Sequence, residues 1–244
     1  MLKKYTDKMY CFSPPVMLAT LLIEFIFAFY TIWRYKMNTI VRLCFLLLTC
    51  LGTFQLAEYM VCGGLGWSNI EWARVGYGSI TLLPALGIHL TYAIAGKKNW
   101  LLIGSAYASC ALFVAFYLVA EGAISGQTCY SNYAVFDTHR ASVIPFMIYY
   151  YGWLMIGVYL AWNWGAQMKN KTRKNALFSI MVGYLIFIVP TTAFNIIDHS
   201  TVQAIPSIMC GFAVLLAFIL VGKVLPSCCH DNKSAKAFFE MLKI

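Results

Sequence analysis

Residues 71 to 100, EWARVGYGSITLLPALGIHLTYAIAGKKNW, are long and apolar enough to cross a bilayer, yet they carry Arg74, Pro84 and His89. About 20 mostly apolar residues suffice to span the hydrocarbon core. A segment that only had to be greasy would hold none of these three. At 100° per residue, Arg74, Gly78, Thr81, Ala85 and Tyr92 fall on one stripe, with His89 about 60° off it. Small residues let helices approach closely, and Thr hydroxyls bond across helices. The stretch therefore reads as a span facing the interior of a bundle. Pro84 bends it and frees a carbonyl that the bundle has to satisfy internally.

The rest of the chain fits that reading. Of 244 residues, 61% are hydrophobic and only 11% charged, against about 25% charged in soluble domains. Seven stretches qualify as spans, at roughly 14–33, 39–61, 72–95, 99–121, 142–166, 175–195 and 204–224. The expected fold is an all-α, polytopic seven-transmembrane-helix bundle. It occupies residues 1–226 as one domain, and a tail at 227–244 is either a short amphipathic helix or a frayed end. The first apolar run is span-length and lacks a small-residue cleavage site, so no cleavable signal peptide is expected.

Charge orients the bundle. Arg34, Lys36 and Arg42 follow the first span, Lys97 and Lys98 the third, and Lys169, Lys171, Arg173 and Lys174 the fifth. Lys223, Lys233, Lys236 and Lys243 follow, so thirteen of the 18 basic residues share one side. The opposite connections carry Glu71, Glu121, Asp137 and Asp198 but little Lys or Arg; Lys3, Lys4 and Lys8 dissent and are outnumbered. The positive-inside rule then puts the N-terminus outside and the C-terminus in the cytoplasm. The net charge of +9 reflects contact with the lipid bilayer and not with nucleic acid.

Nine cysteines divide the same way. Cys44, Cys50, Cys110 and Cys210 lie within spans, where thiols behave as small hydrophobes. Cys62 and Cys129 are candidates for an outer disulfide tying the second span to the loop at 121–140, with Cys11 as a rival partner. Cys228, Cys229 and His230 adjoin the last span, where cysteines suit acylation. Three adjacent ligands do not by themselves close a tetrahedral metal site.

Ionisable and polar groups inside the spans are costly and point to function by default. Glu58 and Arg74 lie at similar depth on neighbouring spans, where an ion pair would clasp the helices or rim a site for an anionic or zwitterionic ligand. Glu24 sits near the middle of the first span with no basic residue at its depth. It is expected to act as a neutral donor, bonded either to a neighbouring helix or to a ligand. His89 reads as a hydrogen-bonded core residue, since haem ligation would require a second histidine at suitable depth. The sixth span, with Pro190, Thr191, Thr192 and Asn195, is bent and polar in its outer half, and Gln55 lies at a comparable depth. The candidate ligand site is thus Glu24, Gln55, Glu58, Arg74, Thr81, His89 and Asn195. In the fifth span, MIYYYGW (147–153) reads as an interfacial aromatic belt. No nucleophile–base pair or metal quartet is visible, so neither an enzyme nor a cofactor is expected.

Seven spans suggest rhodopsins and G-protein-coupled receptors, but a lysine deep in the last span and the D-R-Y and N-P-x-x-Y signatures are missing. The third span, through Trp72, Arg74, Tyr77, Pro84, Gly96, Lys97 and Trp100, and the last, PSIMCGFAVLLAFILV (206–221), resemble another family. They are similar to the seven-helix sensor modules at the N-termini of bacterial histidine kinases and diguanylate cyclases. The resemblance implies a ligand-sensing bundle in a bacterial inner membrane. No kinase or cyclase segment follows the last span. The expected function is therefore small-molecule sensing through a separate partner protein. The alternatives are a small-solute transporter with Glu24 as a proton-coupled carboxyl, or a structural subunit of a membrane complex.

Overall fold

The computed structural model describes residues 14–63, 69–129, 134–197 and 205–229. Its helices are α1 (Pro14–Arg34), α2 (Thr39–Gly63), α3 (Asn69–Ala95), α4 (Trp100–Val119), α5 (Arg140–Gln167), α6 (Lys171–Ile197) and α7 (Ile205–Ile219). A π-helical turn, Leu220–Val224, then leads into a short α8 (Leu225–Cys228). Seven helices are long and apolar enough to cross a membrane, the last running through the π turn and Pro226 to Cys228.

The expectation of an all-α chain needs one correction. Between α4 and α5 the chain forms an antiparallel hairpin of β1 (Ile124–Cys129) and β2 (Ala134–Thr138). Pairing starts at Ile124 and Thr138, with an irregularity before Gly126. Alternation along β2 turns Phe136 inward, where it is wholly buried against Tyr77 at 5.5 Å and Phe54 at 6.1 Å between ring centroids. The hairpin thus plugs the end of the bundle where α2 finishes and α3 begins. We call this the hairpin end and the opposite one the basic end.

At the basic end each return into the bundle begins with an asparagine cap. Asn38 accepts from Val41 N–H, Asn99 from Leu101 and Leu102, and Asn170 from Thr172 and Arg173. Each cap satisfies amides that the first turn leaves without partners. This is why α6 starts at Lys171 despite its basic first turn, four residues before the expected span. On the way in, α3 stops at Gly96, whose φ of 67° suits glycine. There Gly96 N–H bonds Ala93 O and Lys97 N–H bonds Tyr92 O, a Schellman ending.

The helix quoted at the outset is the hub. α3 packs against α2, α4, α5 and α6. It is the least apolar of the seven, and 78% of its span window is buried, against 22% for α4 and 28% for α1 and α5. The inversion is what a bilayer demands: small and polar residues go inside, and uniformly apolar helices face lipid. Glycines permit the closest approaches. A Cβ on Gly87 would stand 2.6 Å from the Tyr184 hydroxyl, and one on Gly157 would stand 3.0 Å from the same ring. Tyr184 of α6 is therefore held between α3 and α5.

Candidate functional site

The six candidate side chains among the described residues, all but Asn195, are distributed along the bundle. Three come together between α1 and α2. Glu24 on α1 and Gln55 and Glu58 on α2 are buried, the two glutamates completely. Neither oxygen of Glu24 has a hydrogen-bond partner, and the two carboxyl groups are near enough to act on each other electrostatically. Gln55 and Glu58, about one turn apart, share a side of α2. Close packing beside Glu24 keeps the region tight: the Phe25 ring lies where a Cβ on Gly52 would be, 3.1 Å from its nearest atom. The threonines at neighbouring depths do not serve Glu24. Thr20 bonds Val16 O and Met17 O, and Thr31 bonds Phe27 O, all on their own helix.

Arg74 reaches α4 through its guanidinium's hydrogen bonds. They reach Leu118 O at 3.3 Å and Ala120 O at 3.5 Å, at the end of α4. A helix C-terminus leaves carbonyls unpaired and partially negative, and an arginine satisfies both needs. Arg74 is thus a positioning residue that docks the end of α4 on α3.

Thr81 belongs to a third place. Its hydroxyl bonds Tyr77 O, and its carbonyl accepts from the Tyr149 hydroxyl at 2.6 Å and the Cys110 thiol at 3.4 Å. This carbonyl lies one turn before Pro84, within the segment the proline disturbs, so the bundle supplies donors from α4 and α5. Tyr149 was expected in an interfacial belt. Instead Tyr149 and Tyr150 are buried, and Trp153 bonds Ser109 Oγ at 3.0 Å. Tyr149 is the residue that sequence reasoning missed. Its signal was the spacing of Phe146, Tyr150, Leu154, Gly157, Ala161 and Trp164, all on the buried side of α5.

His89 lies toward the basic end, its Nδ1 3.1 Å from the Tyr107 hydroxyl. It is a hydrogen-bonded histidine at the edge of a crevice, as a lone core histidine should be. The side chain of Asn195 lies outside the described residues, as do those of Ser207 and Cys210 and residues 1–13 and 230–244, including Cys11 and His230.

Cys62 and Cys129 are joined by a disulfide that ties the end of α2 to β1. Cys228 and Cys229 are free and partly buried. Burial pushes the Cys229 thiol up, an effect opposed by its hydrogen bond with Asn38. Among the described residues, no three His, Cys, Asp or Glu side chains gather as metal ligands. Compared with known proteins, the chain matches no family model and no curated protein.

Among the described residues, Glu24 is the buried acid whose carboxyl keeps unspent bonding capacity. A carboxyl group in apolar surroundings calls for a counter-charge, a proton or a ligand's donor group.

Proposed function

We propose that the chain is a receptor-like small-molecule sensor of the membrane, holding its ligand at Glu24 and passing the signal to a separate protein. The observation that carries this reading is the Glu24 carboxyl, wholly enclosed, without a hydrogen-bond partner among the described residues, and close enough to Glu58 to act on it electrostatically. Folded proteins satisfy such groups as a rule, and an intramembrane carboxyl of this kind is a functional site by default. A ligand with a protonated amine or paired hydroxyls would give Glu24 its missing donors. Among the described residues α1 packs mainly along α2, with a smaller contact to α7, so its displacement is the natural way in. Binding that favours one placement of α1 over another is the two-state element a sensor needs. The likeness of α3 and α7 to bacterial sensor modules supports the same reading.

The hairpin end faces outward in this proposal and the basic end the cytoplasm, in a bacterial inner membrane. The charge asymmetry supports that orientation. So does the separation of a disulfide at the hairpin end from free thiols at the basic end. Reporter fusions after Cys229, one fluorescent only in the cytoplasm and one active only outside, check it.

A transporter reading has one observation in its favour: two neighbouring buried carboxyl groups are equipped to pass a proton. Native mass spectrometry of protein gently solubilised from its own membranes tests the sensor proposal first. The expected result is a retained small molecule, absent from Glu24→Gln while the thermal midpoint is kept. A stoichiometric protein partner without any small molecule would overturn it in favour of a structural subunit. Substrate flux in liposomes that stops in Glu24→Gln would favour transport.

A further inference from the structure

A crevice of about 450 Å³ opens at the basic end, between the starts of α2 and α4 and over the last turns of α3. Its upper wall is polar and cationic, with Asn38, Thr39, Lys97 and Lys98; its lower wall holds His89 and the apolar Ile40 and Ile103. We propose that this crevice binds the phosphate of an anionic phospholipid, with an acyl chain descending along Ile40 and Ile103.

Four observations point to that occupant. The crevice lies where the third and fourth spans end, at Ala95 and Trp100, which is headgroup depth for a helix that crosses the hydrocarbon. Two helices begin there, so the positive ends of α2 and α4 flank it, their first amides partly taken up by Asn38 and Asn99. The opposing negative end of α3 is already spent, since Tyr92 O and Ala93 O accept from Lys97 and Gly96 N–H. Finally, among the described residues no carboxylate answers the positive charge. Arg173 adds its guanidinium beside Gly96, with Nη1 where a Cβ would stand. All the described carboxylates, Glu24, Glu58, Glu71, Glu121 and Asp137, belong to the middle or the hairpin half of the bundle. The Lys97 ammonium rests 4.6 Å above the Trp164 ring, which holds its stem along the wall, and Lys98 is exposed. Basic pockets between membrane helices on the cytoplasmic side bind acidic headgroups on this principle.

The test uses the full chain in phosphatidylcholine nanodiscs with and without phosphatidylglycerol. Native mass spectrometry then reads which lipid survives on the released protein. The wild type should retain phosphatidylglycerol in preference to phosphatidylcholine and gain thermal stability from it. Lys97→Gln with Lys98→Gln should weaken that preference about 25-fold, from roughly a factor of five for each lysine. The same loss from Lys171→Gln with Lys174→Gln, which lie outside the crevice, would overturn the site in favour of a diffuse surface charge. No preference in the wild type would overturn it too. So would equal stabilisation by inorganic phosphate in pure phosphatidylcholine, which would assign the crevice to a soluble anion. The thermal midpoint of each variant in phosphatidylcholine alone reports whether it folds.

Discussion

The two ends of the bundle solve the same problem with opposite chemistry. Every helix end leaves backbone groups that its own turns cannot satisfy. At the hairpin end the chain supplies the partners and closes over them. Arg74 donates to the last carbonyls of α4, Phe136 seals the aromatic cluster around Tyr77, and the Cys62–Cys129 bond fastens the lid. At the basic end the turns are a few residues long and three asparagines cap the returning helices. Lys36, Arg42, Lys98, Lys169 and Lys171 there are exposed, with no described carboxylate among them. One end is covalently tied, while the other is held by short turns and offers its charge to the surroundings. Stability should therefore be concentrated at the hairpin end, and sensitivity to lipid and salt at the basic end.

Removing the disulfide is the strongest way to break that contrast. Cys62→Ser with Cys129→Ser should cost about 2–4 kcal/mol, read as a lowered thermal midpoint in nanodiscs. Cys228→Ser with Cys229→Ser at the other end, where both thiols are only partly buried, should cost less, about 1 kcal/mol. Equal losses from the two pairs would show that the hairpin is no more a clamp than the opposite turn.

A smaller effect compares the two kinds of cap. Arg74→Met removes charged donors from Leu118 O and Ala120 O and should cost about 1.5–2 kcal/mol, since the bonds are long for charge-assisted ones. Asn99→Ala removes an uncharged cap at the other end of α4 and should cost about 1 kcal/mol. Both are measured by denaturation under the same lipid conditions. A larger loss from Asn99 would mean that α4 is anchored at the basic end after all, and that Arg74 is free for other work.

How much of this was legible in the sequence depends on polarity contrast. The seven spans were, because length and hydropathy are set by bilayer thickness. The hub position of α3 was as well, because Arg74, Thr81 and the glycines mark an inward stripe in an otherwise apolar helix. The inward face of α5 was not read. In a membrane, Leu, Ile and Phe serve lipid and core alike, so apolar periodicity loses its meaning, and Tyr149 passed for an interfacial residue. The hairpin was hidden for a related reason: ISGQTC and AVFDT are too short to show a strand period. The candidate site suffered most. Sequence position gives a residue's depth along its helix but not the neighbour it faces. Depth alone did not reveal that Arg74 bonds the end of α4, nor that Glu58 lies near the Glu24 carboxyl.

Glu24 itself provides the smallest effect on stability and the sharpest test of what the α1–α2 site is for. If its carboxyl were a clasp between helices, Glu24→Leu would remove a bond and lower stability by the usual margin for a broken buried contact. The structure gives that carboxyl no hydrogen-bond partner to lose, and leucine nearly matches its volume while carrying no desolvation cost. Replacing a buried polar group with an apolar one of similar shape is often neutral or stabilising. Glu24→Leu should therefore leave the ligand-free thermal midpoint unchanged or raise it, by about 1 kcal/mol at most. Whatever the wild type retains at this site should be lost. Unlike the caps and the disulfide, this residue would then impair the fold slightly and serve binding, the pattern expected of a functional group. A clear loss of stability would place Glu24 with Arg74 and Tyr149 among the residues that hold the bundle together.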